Sequence, residues 1–103
     1  MSLTIPYAGK KEVTLTVRVP LSHVCPVVQE RDFGRLTITY KPATLLLELH
    51  ALASYLRGFD TISITHEDLT AALRADLLDA LRPETLTITT AWTTAGIEYE
   101  VTA

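Results

Sequence analysis

The chain has 103 residues, 48% hydrophobic and 20% charged, with 9 Lys/Arg against 12 Asp/Glu for a net charge of −3. This length and balance fit one globular domain, residues 1–103, with a core of its own, and they exclude a disordered or low-complexity chain. The pI near 5.5 argues against strong nonspecific nucleic-acid binding by a single copy. No apolar run approaches the roughly 20 residues of a membrane span, and the opening MSLTIPYAGKKE lacks the order of a secretory signal, so a cytoplasmic protein is expected.

Along the chain, EVTLTVRV (12–19) alternates Val13, Leu15, Val17 and Val19 with polar residues, the period of a half-buried strand. The next stretch, HVCPVVQERDFG (23–34), reads as a loop carrying His23, the only cysteine Cys25, and Asp32. RLTITY (35–40) is a second strand. PATLLLELHALASYLRG (42–58) predicts a helix opened by Pro42, striped by Leu45, Leu49, Leu52 and Leu56, and stopped at Gly58. THEDLTAALRADLLDALRP (65–83) predicts a second helix, with Thr65 as N-cap, Glu67 and Asp68 in its positive first turn, and Leu69, Leu73, Leu77 and Leu81 on one stripe. TLTITTAW (85–92) and GIEYEVT (96–102) close the chain as a hairpin. The expected fold class is α+β: a ββααββ antiparallel sheet with two helices on one face. Its two open edges favour edge-to-edge association into a ring or barrel.

Two polar clusters sit at element junctions: His23, Cys25 and Asp32 before the second strand, and His66, Glu67 and Asp68 at the start of the second helix. A lone thiol cannot form an internal disulfide, so Cys25 is inert packing, half of an intermolecular bridge, or a reactive group. A thiolate with an acid in reach is equipped to attack an electrophile while the acid protonates what the attack generates. Cys25 and Asp32 are candidates for that pair; each taken alone has an ordinary structural explanation. Cys25, His23, His50 and His66 are potential zinc donors without the close paired spacing of zinc motifs, and no metal is expected.

Cys25-Pro26, then Asp32-Phe33, the strand LTITY, the helix LELHALASYL and finally HED, in that order over about residues 20–102, resemble the 7-cyano-7-deazaguanine reductase family. The resemblance implies the tunnelling fold, in which subunit sheets join into rings that stack, here as two pentameric rings, with active sites between subunits. It also implies that Cys25 adds to the nitrile carbon to give a covalent thioimide, that Asp32 manages the proton on the former nitrile nitrogen, and that Glu67 and His66 bind the deazaguanine. The family signature E-[SL]-K-[SA]-x-K-[LY]-[YFW], associated with NADPH, reads here Glu48-Leu49-His50-Ala51-Leu52-Ala53-Ser54-Tyr55, with both lysines gone. That loss and the short chain are similar to the archaeosine synthase branch of the family. On that branch no redox cofactor is needed: ammonia attacks the thioimide, and the nitrile of 7-cyano-7-deazaguanine in transfer RNA becomes an amidine. The rival expectations are an NADPH-dependent nitrile reductase and a non-catalytic purine-binding protein. Lys10, Lys11, Arg31 and Arg35 are the basic candidates for transfer-RNA contact.

Overall fold

The computed structural model describes residues 2–9 and 11–103, so Lys10, one of the basic candidates, lies outside the described residues. The elements in chain order are β1 (Thr4–Pro6), β2 (Leu15–Val24), β3 (Arg31–Lys41), β4 (Leu45–Leu47), α1 (Leu49–Arg57), α2 (His66–Leu81), β5 (Thr85–Thr94) and β6 (Ile97–Thr102). A four-stranded antiparallel sheet runs in the order β2-β3-β5-β6, leaving β2 and β6 as its edges. Alternation sends Leu36, Ile38, Tyr40, Leu86, Ile88 and Trp92 to the inner face, where they are buried. Against them α2 lays Leu69, Leu73, Leu77 and Leu81, each at most 1% exposed, while α1 contributes Ala51, Leu52 and Leu56. The leucine stripe of the second helix is thus the centre of the core, as its four-residue spacing predicts.

The first helix differs from its expectation. It begins at Leu49, because the Glu48 carboxylate accepts the Ala51 N–H and caps the helix there. Upstream, Leu45–Leu47 is a strand paired antiparallel with Thr4–Pro6, and the Leu47 N–H donates to the Tyr40 hydroxyl at 3.0 Å. The run LLLEL satisfies the helical and the strand period alike, and pairing with β1 decides between them. Leu49, assigned to the buried stripe from spacing, is left exposed.

Both hairpins also run longer than the sequence suggests. Thr94 pairs with Ile97 across a two-residue turn in which Ala95 and Gly96 are both left-handed (φ 54° and 78°), the backbone of a type I′ turn. At the other hairpin, His23 and Asp32 belong to paired strands rather than to a loop, and only residues 25–30 turn. The Cys25 N–H donates to Glu30 O (2.8 Å), the Gln29 N–H donates to Cys25 O (2.9 Å), and Gln29 is left-handed at φ 57°.

Leu73→Ala, which truncates a fully buried side chain between α2 and the sheet, is expected to destabilise the fold by about 2–5 kcal/mol. Urea unfolding followed through the single tryptophan, Trp92, measures it.

Candidate active site

The β2–β3 register sets His23 directly opposite Asp32 on the inner face of the sheet. The start of α2 brings in the third member. Thr65 caps the helix by accepting the Asp68 N–H (3.1 Å), which makes His66 its first residue and turns that ring into the core. The His66 Nε2 stands 2.8 Å from Asp32 Oδ2, and the Thr94 hydroxyl donates to the same oxygen at 3.1 Å. Two hairpins and a helix therefore meet on one carboxylate. Among the described residues Oδ1 of Asp32 receives no hydrogen bond, which leaves it for a ligand.

A chain of hydrogen bonds fixes the opposite side of His66. Trp92 Nε1–H donates to Thr90 Oγ1 (2.8 Å), and the Thr70 hydroxyl donates to the His66 carbonyl (2.7 Å). With that proton spent, Thr90 is the donor of the 2.6 Å contact between the two hydroxyls. All four groups are satisfied in one direction, from indole to helix backbone. The Trp92 ring packs on His66 with centroids 4.1 Å apart, and Tyr99 meets His66 edge-on at 4.9 Å. Gly34 makes room for the indole: a Cβ there would stand 2.5 Å from Trp92 Cε3 and 2.7 Å from the Ala91 carbonyl.

His23 is 1% exposed, and among the described residues neither ring nitrogen has a hydrogen-bond partner; its Nε2 is 3.9 Å from Asp32 Oδ2. Burial first, and then the neighbouring His66, hold its pKa below the ordinary imidazole value of 6.5, against the pull of Ile64 and Val24 backbone groups and of Asp32.

Cys25 and Glu67 flank this cluster without joining it. Cys25 is half-buried at the first position of the β2–β3 turn. Val24, just before it, bonds the loop that leads into α2: its N–H donates to Ile62 O (2.9 Å) and its carbonyl accepts the Ile64 N–H (3.2 Å). The thiol and the start of α2 are thereby tied to one frame. Glu67, one helical step of about 100° from buried His66, faces solvent. Exposed Val27, Val28, Phe33 and Ile97 lie on or beside the two hairpin turns at this end of the sheet, and Ile62 lies on the loop that Val24 holds.

Of the four zinc donors considered from spacing, the structure brings only His23 and His66 together, with Asp32. His50 points into solvent from α1 and bonds Glu48, and Cys25 is outside the cluster. Trp92, Thr90, Thr70, Thr94 and Tyr99 went unread as site residues. The available signal was threonine at inward positions 90 and 94 of a strand whose other inward residues are Leu86, Ile88 and Trp92.

With this geometry in place, comparison with known proteins is decisive. Residues 31–103 match the family described as QueF-like protein. The chain belongs to the QueF-like family. It is 37% identical over 87 residues to the NADPH-dependent 7-cyano-7-deazaguanine reductase of Chlorobium phaeobacteroides, a span of 84% of this chain and 74% of that protein. It is 35% identical over 95 residues to the reductase of the same name from Prosthecochloris aestuarii, covering 90% and 80%. Both spans leave too few residues uncovered to exclude Cys25. Among solved structures, the apo archaeosine synthase QueF-Like matches with a TM-score of 0.86 and 22% identity over 91% of this chain and 94% of that one, a likeness of fold. The fold of this QueF-like protein is accordingly the tunnelling fold.

Two outcomes test the geometry. Gly34→Ala forces Trp92 or the β5 backbone aside and is expected to cost about 1–3 kcal/mol of stability, with a shift of the tryptophan emission, read by denaturant unfolding and fluorescence. Because the folded state binds a proton at His23 less readily than the unfolded chain, the stability due to this group is full above pH about 6.5 and declines as pH falls through that value. Stability measured between about pH 7.5 and 5.5 should slope downward with acid in the wild type, and less so in His23→Leu.

Proposed function

We propose that this QueF-like protein forms a covalent thioimide between Cys25 and the nitrile of a 7-cyano-7-deazaguanine and resolves it with ammonia, making the amidine of archaeosine in transfer RNA. In the first step the Cys25 thiolate adds to the nitrile carbon and the nitrogen takes a proton through Asp32, giving R–C(=NH)–S–Cys. A nitrile is a modest electrophile, so a soft nucleophile and simultaneous protonation are both needed. The hold of His66 and Thr94 on Asp32 supports this role by fixing the carboxyl against rotation. Glu67 accepts from the ring N–H and exocyclic amine of the base, a bidentate charge-assisted pair, and His66 lines the same pocket. In the second step ammonia adds to the thioimide carbon, the thiolate leaves, and R–C(=NH)NH2 remains, with no change of oxidation state.

The observation that carries the second step is on α1. His50 and Ala53 occupy the positions of the two signature lysines, and the retained Glu48 is spent on capping the helix. His50 is 97% exposed and paired with that glutamate, a poor replacement for a fixed cation. The competing reading, an NADPH-dependent nitrile reductase, is favoured by the names of the sequence relatives and by Arg57, a cation one turn beyond Ala53 in the same groove between α1 and β2. The open edges, β6 and β2 short of its Val24 bridge, and the apolar residues around the site support a ring of subunits in which a neighbour completes the substrate pocket; two stacked pentameric rings are the arrangement proposed. Transfer RNA then meets basic residues of several copies. Arg31 is already engaged by Asp60 (3.5 Å), Ser22 and the Phe33 ring, and Arg35 shares a groove with Glu98 and Glu100, so both are partly neutralised before transfer RNA arrives.

Intact mass after incubation with 7-cyano-7-deazaguanine is expected to show an adduct of the ligand's mass in the wild type and none in Cys25→Ala. Glu67→Ala should weaken ligand binding by about 1.5–3 kcal/mol. Modified transfer RNA supplied in parallel with ammonium or with NADPH should give archaeosine with ammonium alone. An aminomethyl product formed only with NADPH establishes the reductase instead.

A further inference from the structure

A buried imidazole without a hydrogen-bond partner costs free energy, and His23 is held in that state beside a carboxylate and a second imidazole. One donor atom from each of His23, Asp32 and His66 lies within 4.8 Å of the others. Zinc bonds to nitrogen and oxygen of about 2.0–2.2 Å at tetrahedral angles place donor atoms about 3.3 Å apart. Here Asp32 Oδ2 stands 2.8 Å from His66 Nε2 and 3.9 Å from His23 Nε2, so one gap opens and the other closes by about half an ångström to reach that spacing, while the two imidazoles, with donors within 4.8 Å of each other, close by up to about 1.5 Å as the rings turn. The rings are oriented in advance: His23 meets His66 and Trp92 edge-on at 4.7 and 4.9 Å, and the indole is pinned by Thr90. Thr94 supplies the outer hydrogen bond that ligating carboxylates commonly receive. Two imidazoles and one carboxylate suit zinc or cobalt and not calcium or magnesium, which take oxygen donors.

We infer that His23, Asp32 and His66 form a binding site for one divalent ion of the zinc class. Since Asp32 and His66 also serve the proposed reaction, occupancy blocks that reaction. Only this consequence rests on the proposed function; metal binding stands apart from it and is measured without substrate.

The test uses the full chain, freed of metal with a chelator and titrated with Zn2+ by competition against a chromogenic chelator and with Co2+ by visible absorption. The wild type, Cys25→Ala and His50→Ala are expected to bind one ion per chain and to give the Co2+ bands of nitrogen and oxygen ligation. His23→Leu, shown folded by circular dichroism, is expected to lose affinity by at least about tenfold. Equal affinity in the wild type and His23→Leu overturns the assignment, as does loss of binding in Cys25→Ala or His50→Ala, which places the ion at the thiol or at the exposed Glu48–His50 pair. Should His23→Leu fail to fold, Asp32→Asn keeps the side-chain shape and carries the same test: wild-type affinity in it overturns the site, and a loss of about tenfold supports it. Zn2+ should also prevent the nitrile adduct in the wild type. A wild type that binds zinc yet forms no adduct under chelation leaves the metal site standing and sinks the proposed reaction.

Discussion

The position of Asp32 rests on strand register. Side chains alternate along β3, so a slip of one residue against β2 would carry Asp32 to the outer face and leave His66 without its partner. The hairpin prevents the slip through a six-residue turn whose ends are bonded, Cys25 to Glu30, and whose backbone passes through a left-handed Gln29. The same turn begins with the thiol. One local device therefore sets the place of the candidate nucleophile and the facing of the candidate acid, and the lone cysteine sits at a turn and not within the core for that reason.

Around this carboxylate the molecule trades apolar packing for polar order. The far end of the sheet is filled by Leu36, Leu86, Ile38, Ile88 and Tyr40; toward the site the inner face changes to Thr90, Trp92, Thr94, Asp32 and His23. Buried polar groups are tolerated when they are bonded, and the run from Trp92 through Thr90 and Thr70 to the His66 carbonyl is bonded throughout. It also joins β5 to the first turn of α2, so the backbone of His66 is held from the helix side while Asp32 holds its ring from the sheet side. His23 is the exception in this set: among the described residues neither of its ring nitrogens is bonded.

Most of the layout was legible in sequence, and the misses have physical causes. The stripe Leu69, Leu73, Leu77 and Leu81 and the Thr65 cap are local signals that tertiary packing reinforces, so α2 was readable almost to the residue. The start of α1 was not, because Leu45–Leu47 is strand only by virtue of pairing with residues some forty positions earlier, and no local window contains that partner. The stretch 23–34 reads as loop from sequence, yet 23–24 and 31–34 are paired strand; Pro20, just before it, sits in an edge strand, where its missing N–H is tolerated, and Gly34 is a strand residue emptied for Trp92. At the site, Cys25, Asp32, His66 and Glu67 stood out through their resemblance to a family order, whereas His23 and Trp92 needed coordinates, since their roles lie in cross-strand and helix–sheet neighbours that spacing does not encode.

Relatives at 37% and 35% identity bear the name of an NADPH-dependent reductase, and the fold is shared with an archaeosine synthase, so the proposal turns on which of the two second steps this site is built for. The difference between the two chemistries is small at the covalent step and large afterwards. Hydride transfer requires a dinucleotide bound beside the site, and its phosphates demand fixed positive charge at short range. Ammonia demands only space and a path. On the proposed chemistry, Cys25, the braced Asp32 carboxyl and the exposed Glu67 serve both reactions, and His50 and Ala53 in place of two lysines favour ammonia over hydride for the second step. Arg57 is the cation that lines that groove, and Asp60 beside it offsets part of its charge, so on the proposed chemistry the groove offers a dinucleotide phosphate less net positive charge than two lysines would.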